Sequence, residues 1–198
     1  MKISWLDIRN IEQCELEKWF DIMSDERKKE VASMKVEHKK KLRIAADALC
    51  RKTISDYCSV SPEEIIFGYG EKGKPYVKGL PVCFSISHSG DYAVCVVSDE
   101  EIGIDIEKIR PINKRVADKF ATEKEKEYIL SSSNGFFEIW TLKEAYFKCI
   151  GTGLGKDIKE VSFDISDNNI AFSKSGYEFT FCDINKNYIC SICKKAAR

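Results

Sequence analysis

Residues 2–9, KISWLDIR, alternate apolar and polar positions, which is the period of a half-buried strand. Residues 11–22 change to helical spacing and predict a short amphipathic helix. Ser24, ahead of DERKKEVASM, predicts a capped helix start. Over residues 37–57, Leu42, Ala45, Ala46, Leu49 and Ile54 recur at helical spacing and predict a long helix. A short strand around 65–69 follows, then a loop through Gly73-Lys74-Pro75. VCFSIS and YAVCVVS predict two strands joined by a tight HSGD turn, with His88 at its tip and Phe84 and Ile86 facing inward. Ser98–Glu101 is a polar connector. IGIDIEKI predicts another strand, and Thr122 caps a helix with the sequence EKEKEYILSSS. Asn134 and Gly135 break it, and residues 136–150 form a second long helix closed by the glycines of GTGLGK. Residues 157–194 predict several short strands.

This order repeats. Leu6-Asp7-Ile8 matches Ile104-Asp105-Ile106 at an offset of 98, and the cap at Ser24 matches that at Thr122 at the same offset. Asp47 and Arg51 match Glu144 and Lys148 at 97, and YAVCVV matches YICSIC at 96. The pattern predicts an α+β fold of two similar halves, 1–98 and 99–198, packed about a pseudo-twofold axis. Ligands often sit at such an interface.

Composition narrows the function classes. The 198 residues are 43% hydrophobic, enough to bury a core without staples. The 32 basic and 32 acidic residues cancel, so no nucleic-acid or membrane footprint is expected and any basic site must be local. The N-terminus has no signal-like apolar stretch, and no apolar run approaches the ~20 residues of a membrane span. Nine mostly isolated cysteines point to free thiols in a reducing cytoplasm. Cys190-x-x-Cys193 lies in an alternating run without a second pair, and reads as core rather than as a zinc half-site.

Strand alternation places Gly103, Asp105 and Glu107 on one face of IGIDIE and its isoleucines on the other. Two acids on one face repel unless a cation joins them, although D-x-E alone also describes a solvated strand. On the second long helix Trp140, Glu144 and Lys148 share a face apart from the apolar stripe. Glu144 is a candidate third ligand or general base, and Lys148 a candidate phosphate contact. Gly73-Lys74-Pro75 is either a plain turn or a contact to a nucleotide. The same acids would serve a magnesium-dependent hydrolase of nucleotide pyrophosphates.

F-S-I-S-H-S-G, I-G-I-D-I-E and W-x-x-K-E-A-x-x-K, in that order, together resemble the Sfp-type 4′-phosphopantetheinyl transferases. G-K-P-Y and F-A-T-E-x-E extend the likeness over nearly the whole chain. The resemblance implies a holo-[carrier-protein] synthase, with coenzyme A and Mg2+ bound between the halves. Residues 1–98 form the coenzyme A side, and 99–198 carry the metal and dock the carrier. The 4′-phosphopantetheine arm would pass to a serine of an apo acyl or peptidyl carrier protein, releasing adenosine 3′,5′-bisphosphate. Asp105, Glu107 and Glu144 match the metal-binding acids, with Asp105, Glu144 and Lys148 as the catalytic group. Ser87, His88, Lys74, Pro75 and Lys148 match positions along coenzyme A, and Glu125 an acid near the metal. Arg43 with Arg27 or Lys28 would hold the 3′-phosphate; Leu42 stands where the family often has arginine. Phe136, Phe137 and Gly151–Gly155 are the expected docking surface for the carrier. A monomer follows from an internal pseudo-dimer.

Overall fold

A computed structural model describes residues 1–166 and 169–196, apart from the side chains of residues 114, 156 and 157. Strand β1 (Lys2–Asp7) ends in a 3-10 turn capped by the Asp7 side chain. Helix α1 spans Gln13–Asp21 and α2 spans Asp25–Ser33, with Ser24 accepting from the Arg27 N–H. The long helix α3 runs Glu37–Cys58 and stops where Ser59 turns left-handed at φ 57°. A small hairpin, β2 (Phe67–Tyr69) and β3 (Pro75–Val77), leads to β4 (Cys83–Ser89) and β5 (Tyr92–Ser98).

The second half repeats the scheme. Strand β6 is Ile102–Lys108. Helix α4, Glu123–Ser131, starts at a capping box between Thr122 and Glu125. Helix α5, Gly135–Ile150, ends at left-handed Gly151. Strands β7 (Phe163–Ser166) and β8 (Asn169–Phe172) form a hairpin, followed by β9 (Tyr177–Phe181) and β10 (Tyr188–Lys195). The first sheet has the order β1-β5-β4 and the second β6-β10-β9, all antiparallel. Strand for strand these are equivalent, so the fold is the expected α+β pair of halves.

The packing follows from the sequence pattern. Leu42, Ala45, Ala46, Leu49 and Ile54 of α3 cover Ala93, Cys95 and Val97 of β5. The other face of β5, Tyr92, Val94 and Val96, meets Ile102, Ile104 and Ile106 of β6 and Cys190 and Ile192 of β10. That two-sided burial explains why β5 reads as an unbroken apolar run. Leu42, the expected departure from the family's basic position, belongs to this core. In the second half Ile139, Leu142, Ala145 and Tyr146 of α5 gather a third cluster with Phe120 and Phe163. Cys190 and Cys193 are buried core residues, in different clusters.

Where the halves meet, β4 and β6 share no backbone ladder. Serines do the joining. Ser85 Oγ accepts from Ile104 N at 3.1 Å, and Ser89 Oγ accepts from Lys108 N at 3.1 Å. Ser87 and Ser89 donate to the carboxylates of Asp105 and Glu107, at 2.7 and 2.9 Å. Gly103 faces α5 at the same seam. A Cβ there would lie 2.0 Å from the Ala145 carbonyl oxygen, so glycine lets the helix backbone sit directly on the strand.

Candidate active site

At this seam lies a cavity of about 340 Å³, lined from both halves. Helix α3 contributes Arg43, Ala46 and Asp47, and α2 contributes Arg27. Strand β4 contributes Phe84, Ile86, Ser87 and His88. The second half supplies Asp105 from β6 and Glu144 and Lys148 from α5. The close approach at Gly103 brings the α5 pair beside the strand acid.

Asp105 is 5% exposed. Its Oδ1 receives Lys148 Nζ at 2.6 Å and the Ser87 hydroxyl at 2.7 Å, and Lys148 Nζ also donates to Ser87 Oγ at 3.0 Å. Its Oδ2 is buried and has no hydrogen-bond partner among the described residues. Burial pushes the Asp105 carboxyl above its ordinary range, against the pull of Lys148 and Ser87. Glu144 has no ion-pair partner among the described residues. Burial and the neighbouring Asp105 carboxylate push it up to about 7. Glu107 bonds Ser89 and, at 3.2 Å, Arg110 Nη1. Among the described residues no three His, Cys, Asp or Glu side chains are gathered as a closed metal-ligand set. Asp105, Glu107 and Glu144 feel one another's charge, but Lys148 sits on one oxygen of Asp105.

Two expectations on the basic side separate. Arg27 and Arg43 line the cavity, bridged by Glu30, and Arg27 lies over the Tyr69 ring at 5.7 Å. Lys28 turns away and donates to the Asp21 carbonyl at 2.8 Å. One residue along a helix is about 100° of rotation, which is why Arg27 faces the cavity and Lys28 does not. Lys74 is also turned aside. Its ammonium donates to the Cys149 carbonyl at 2.6 Å, capping the C-terminus of α5, while Pro75 lines the cavity.

His88 is not at a turn tip. It lies within β4, opposite Ala93, with the turn at Gly90-Asp91. Its ring belongs to the cavity wall, where surrounding protein and the Arg43 charge lower its pKa. His38, half exposed at the start of α3, bonds the Gly90 carbonyl at 2.9 Å and latches α3 to that turn. Glu125 is committed elsewhere. It pairs with Lys143 at 2.9 Å, both side chains fully buried, and accepts from Phe163 N at 3.0 Å. Lys143 also donates to the carbonyls of Phe120, Ile158 and Val161. Phe137 is 3% exposed and so is no surface residue, and Trp140 packs edge-on against Phe120 at 5.0 Å. Sequence reasoning missed Glu30, Tyr69 and Ser89; Glu30 was signalled by its place one turn from Arg27.

Fold and site thus define a two-half α+β protein with a cavity that runs from Arg27 and Arg43 to a carboxylate–lysine cluster. A family model described as the 4′-phosphopantetheinyl transferase superfamily matches residues 101–193. A second, described as 4′-phosphopantetheinyl transferase, N-terminal, matches residues 10–101. The 4′-phosphopantetheinyl transferase gsp of Aneurinibacillus migulanus is 31% identical over 159 residues, 76% of this chain and 67% of that protein. The 4′-phosphopantetheinyl transferase Sfp of Bacillus subtilis (strain 168) is 30% identical over 160 residues, 78% and 71% of the two chains. For psf-1 of Bacillus pumilus the identity is 34% over 134 residues, 65% of this chain and 58% of that one. The crystal structure of Thermotoga maritima holo-[acyl-carrier-protein] synthase (AcpS) overlaps 50% of this chain and 64% of its own, at 22% identity and a TM-score of 0.43. The chain belongs to the 4′-phosphopantetheinyl transferases, enzymes that move phosphopantetheine from coenzyme A to carrier proteins.

Proposed function

We propose that this chain passes the 4′-phosphopantetheine arm of coenzyme A to a serine hydroxyl of an apo acyl or peptidyl carrier protein. Magnesium assists, and adenosine 3′,5′-bisphosphate leaves. The observation that carries the reading is Asp105 beside Glu144 and Lys148 in one cavity, with Asp105 Oδ2 buried and without a partner among the described residues. An orphaned carboxylate oxygen next to a second buried acid suits an oxygen-seeking cation. Asp105 and Glu144 would hold magnesium, with Glu107 completing the acidic face. Bound there, the ion would supply positive charge to pyrophosphate oxygens.

The chain's own residues do the rest. Lys148, already in the cavity, is a point charge for the same phosphates. Arg27 and Arg43 hold the 3′-phosphate, and the apolar wall of Pro75, Phe84 and Ile86 receives the uncharged part of the ligand. Ser87 keeps Asp105 and Lys148 in register. Glu144, or a water held beside it, accepts the proton of the carrier serine as its oxygen attacks phosphorus. Positioning and electrostatics suffice for phosphoryl transfer, and no protein nucleophile is needed. Residues 1–98 serve chiefly coenzyme A, and 99–198 the metal and the carrier. The docking face we assign is the 151–155 loop, where Leu154 is 41% exposed. The protein acts as a monomer in the cytoplasm; its nine free cysteines suit that setting.

The test is to incubate the protein with coenzyme A, magnesium and a panel of apo carrier proteins, reading intact mass. One carrier should gain a single phosphopantetheine arm, and Asp105→Ala should abolish the gain while staying folded. Coenzyme A breakdown with every carrier unmodified would overturn the reading in favour of hydrolysis.

A further inference from the structure

The guanidinium groups of Arg27 and Arg43 are not bare. Glu30 Oε2 accepts from Arg27 Nη1 at 2.5 Å, and its Oε1 accepts from Arg43 Nε at 3.1 Å and from Arg43 Nη2. Both arginines line the cavity. Against the push of burial, their hydrogen bonds hold the Glu30 carboxyl below its ordinary range, so it is ionised at neutral pH. The Arg27–Glu30–Arg43 cluster therefore carries two cations and one anion, and a phosphomonoester arriving with nearly two negative charges meets from it a net charge of one.

Such a carboxylate can act in two opposed ways. It can hold two like-charged side chains in place for the ligand, or it can repel the ligand. Here the first effect falls mainly on Arg43, whose side-chain hydrogen bonds go to Glu30. Arg27 is held independently over Tyr69, and each guanidinium has five N–H donors, more than Glu30 uses. The repulsion falls only inversely with distance and acts on any anion the two arginines receive.

We propose that Glu30 is a built-in counter-anion that sets substrate specificity, blunting the preference for coenzyme A over 3′-dephospho-coenzyme A so that the chain accepts both. This rests on the reading of Arg27 and Arg43 as the 3′-phosphate site. The experiment is equilibrium binding of each ligand to the intact chain and to Glu30→Gln, by titration calorimetry at low ionic strength, where screening is weak. Glu30→Gln should bind coenzyme A about tenfold more tightly and dephospho-coenzyme A within about twofold of the parent. Turnover should show the change in KM for coenzyme A, with kcat unaltered. Unchanged or weaker binding of coenzyme A by Glu30→Gln overturns the proposal, as does equal tightening of both ligands. The double variant Arg27→Ala, Arg43→Ala isolates the underlying reading. If it keeps the parent's affinity for coenzyme A, the arginines do not hold the phosphate and both statements fall.

Discussion

Glu144→Gln should make the ligand-free protein more stable at pH 8 while abolishing transfer. Glu144 titrates near 7 in the fold against an ordinary 4.5, chiefly because it is buried and faces Asp105. A carboxyl whose folded pKa is raised favours folding in its protonated form. That stability is complete below about 4.5, falls as pH rises through the window to 7, and is gone above it. At ~1.4 kcal/mol per pH unit, the ionised carboxylate costs the fold about 3 kcal/mol at pH 8. Glutamine keeps the shape and removes the charge, so the variant should gain up to that amount at pH 8 and less than about 1 kcal/mol at pH 5. For a chain of this size the gain is a rise in Tm of about 5–10 °C. The assay is urea and thermal unfolding of both proteins at the two pH values with chelator present. Asp105 raises Glu144 through its charge, and the comparison of parent with variant removes one of the two carboxylates. Excess magnesium should close the gap by stabilising the parent alone. Equal stability at pH 8, or the same gap at both pH values, would refute the electrostatic account of this site.

Three further perturbations probe other parts of the argument. Gly103→Ala drives a methyl to within 2.0 Å of the Ala145 carbonyl oxygen and 2.5 Å of Cys149 N, both backbone atoms that cannot swing aside. It should lower stability by at least ~3 kcal/mol, and a Tm within 2–4 °C of the parent, about 1 kcal/mol on this scale, would disprove the close approach of α5 to β6. Lys143→Met strands Glu125 without its buried partner and should lose ~3–5 kcal/mol. Adding Glu125→Gln should recover most of it in urea melts, unless the three carbonyl bonds of Lys143 dominate. Lys148→Met leaves Asp105, among the described residues, only its Ser87 bond. It should cut carrier modification at least ~100-fold with little change in stability, because Asp105 can take up a proton; near-normal turnover would remove Lys148 from the mechanism.

The elements of this fold were legible because each carries its own period. Alternation in IGIDIE set Asp105 against its isoleucines, and i, i+4 spacing put Glu144 and Lys148 on one face of α5. What those residues touch was not legible, because the contacts cross the seam. Lys148 reaches Asp105, 43 positions away, and Ser87, 61 away. Lys74 is captured by a carbonyl 75 positions away, which no local pattern announces. Among neighbouring cations, helical rotation chose Arg27 over Lys28, and composition alone treats them alike. His88 was misplaced because a serine–histidine–serine–glycine run reads as a turn, while the backbone pairing of β4 with β5 continues to Ser89 and Tyr92.

The two halves show what separates scaffold from site. Asp47 and Arg51 of α3 stand where α5 has Glu144 and Lys148. The first pair closes on itself at 2.8 Å, both side chains buried, and Arg51 Nη1 is taken up by the carbonyls of Pro62 and Ile65. In α5 the lysine turns instead to Asp105, and Glu144, partly buried, has no ion-pair partner among the described residues. The strand acids diverge in the same way. Asp7 has Arg9 two residues on, and their bond holds its carboxyl down to about 2. Asp105 has Glu107 at the equivalent position and is pushed upward by burial. One arrangement satisfies its charges internally and can contribute only stability. The other leaves two carboxylates and a cation in balance only when something further enters the cavity. The difference lies in Glu107 for arginine, in lysine for the forked Arg51, and in the contact with β4 that buries Asp105.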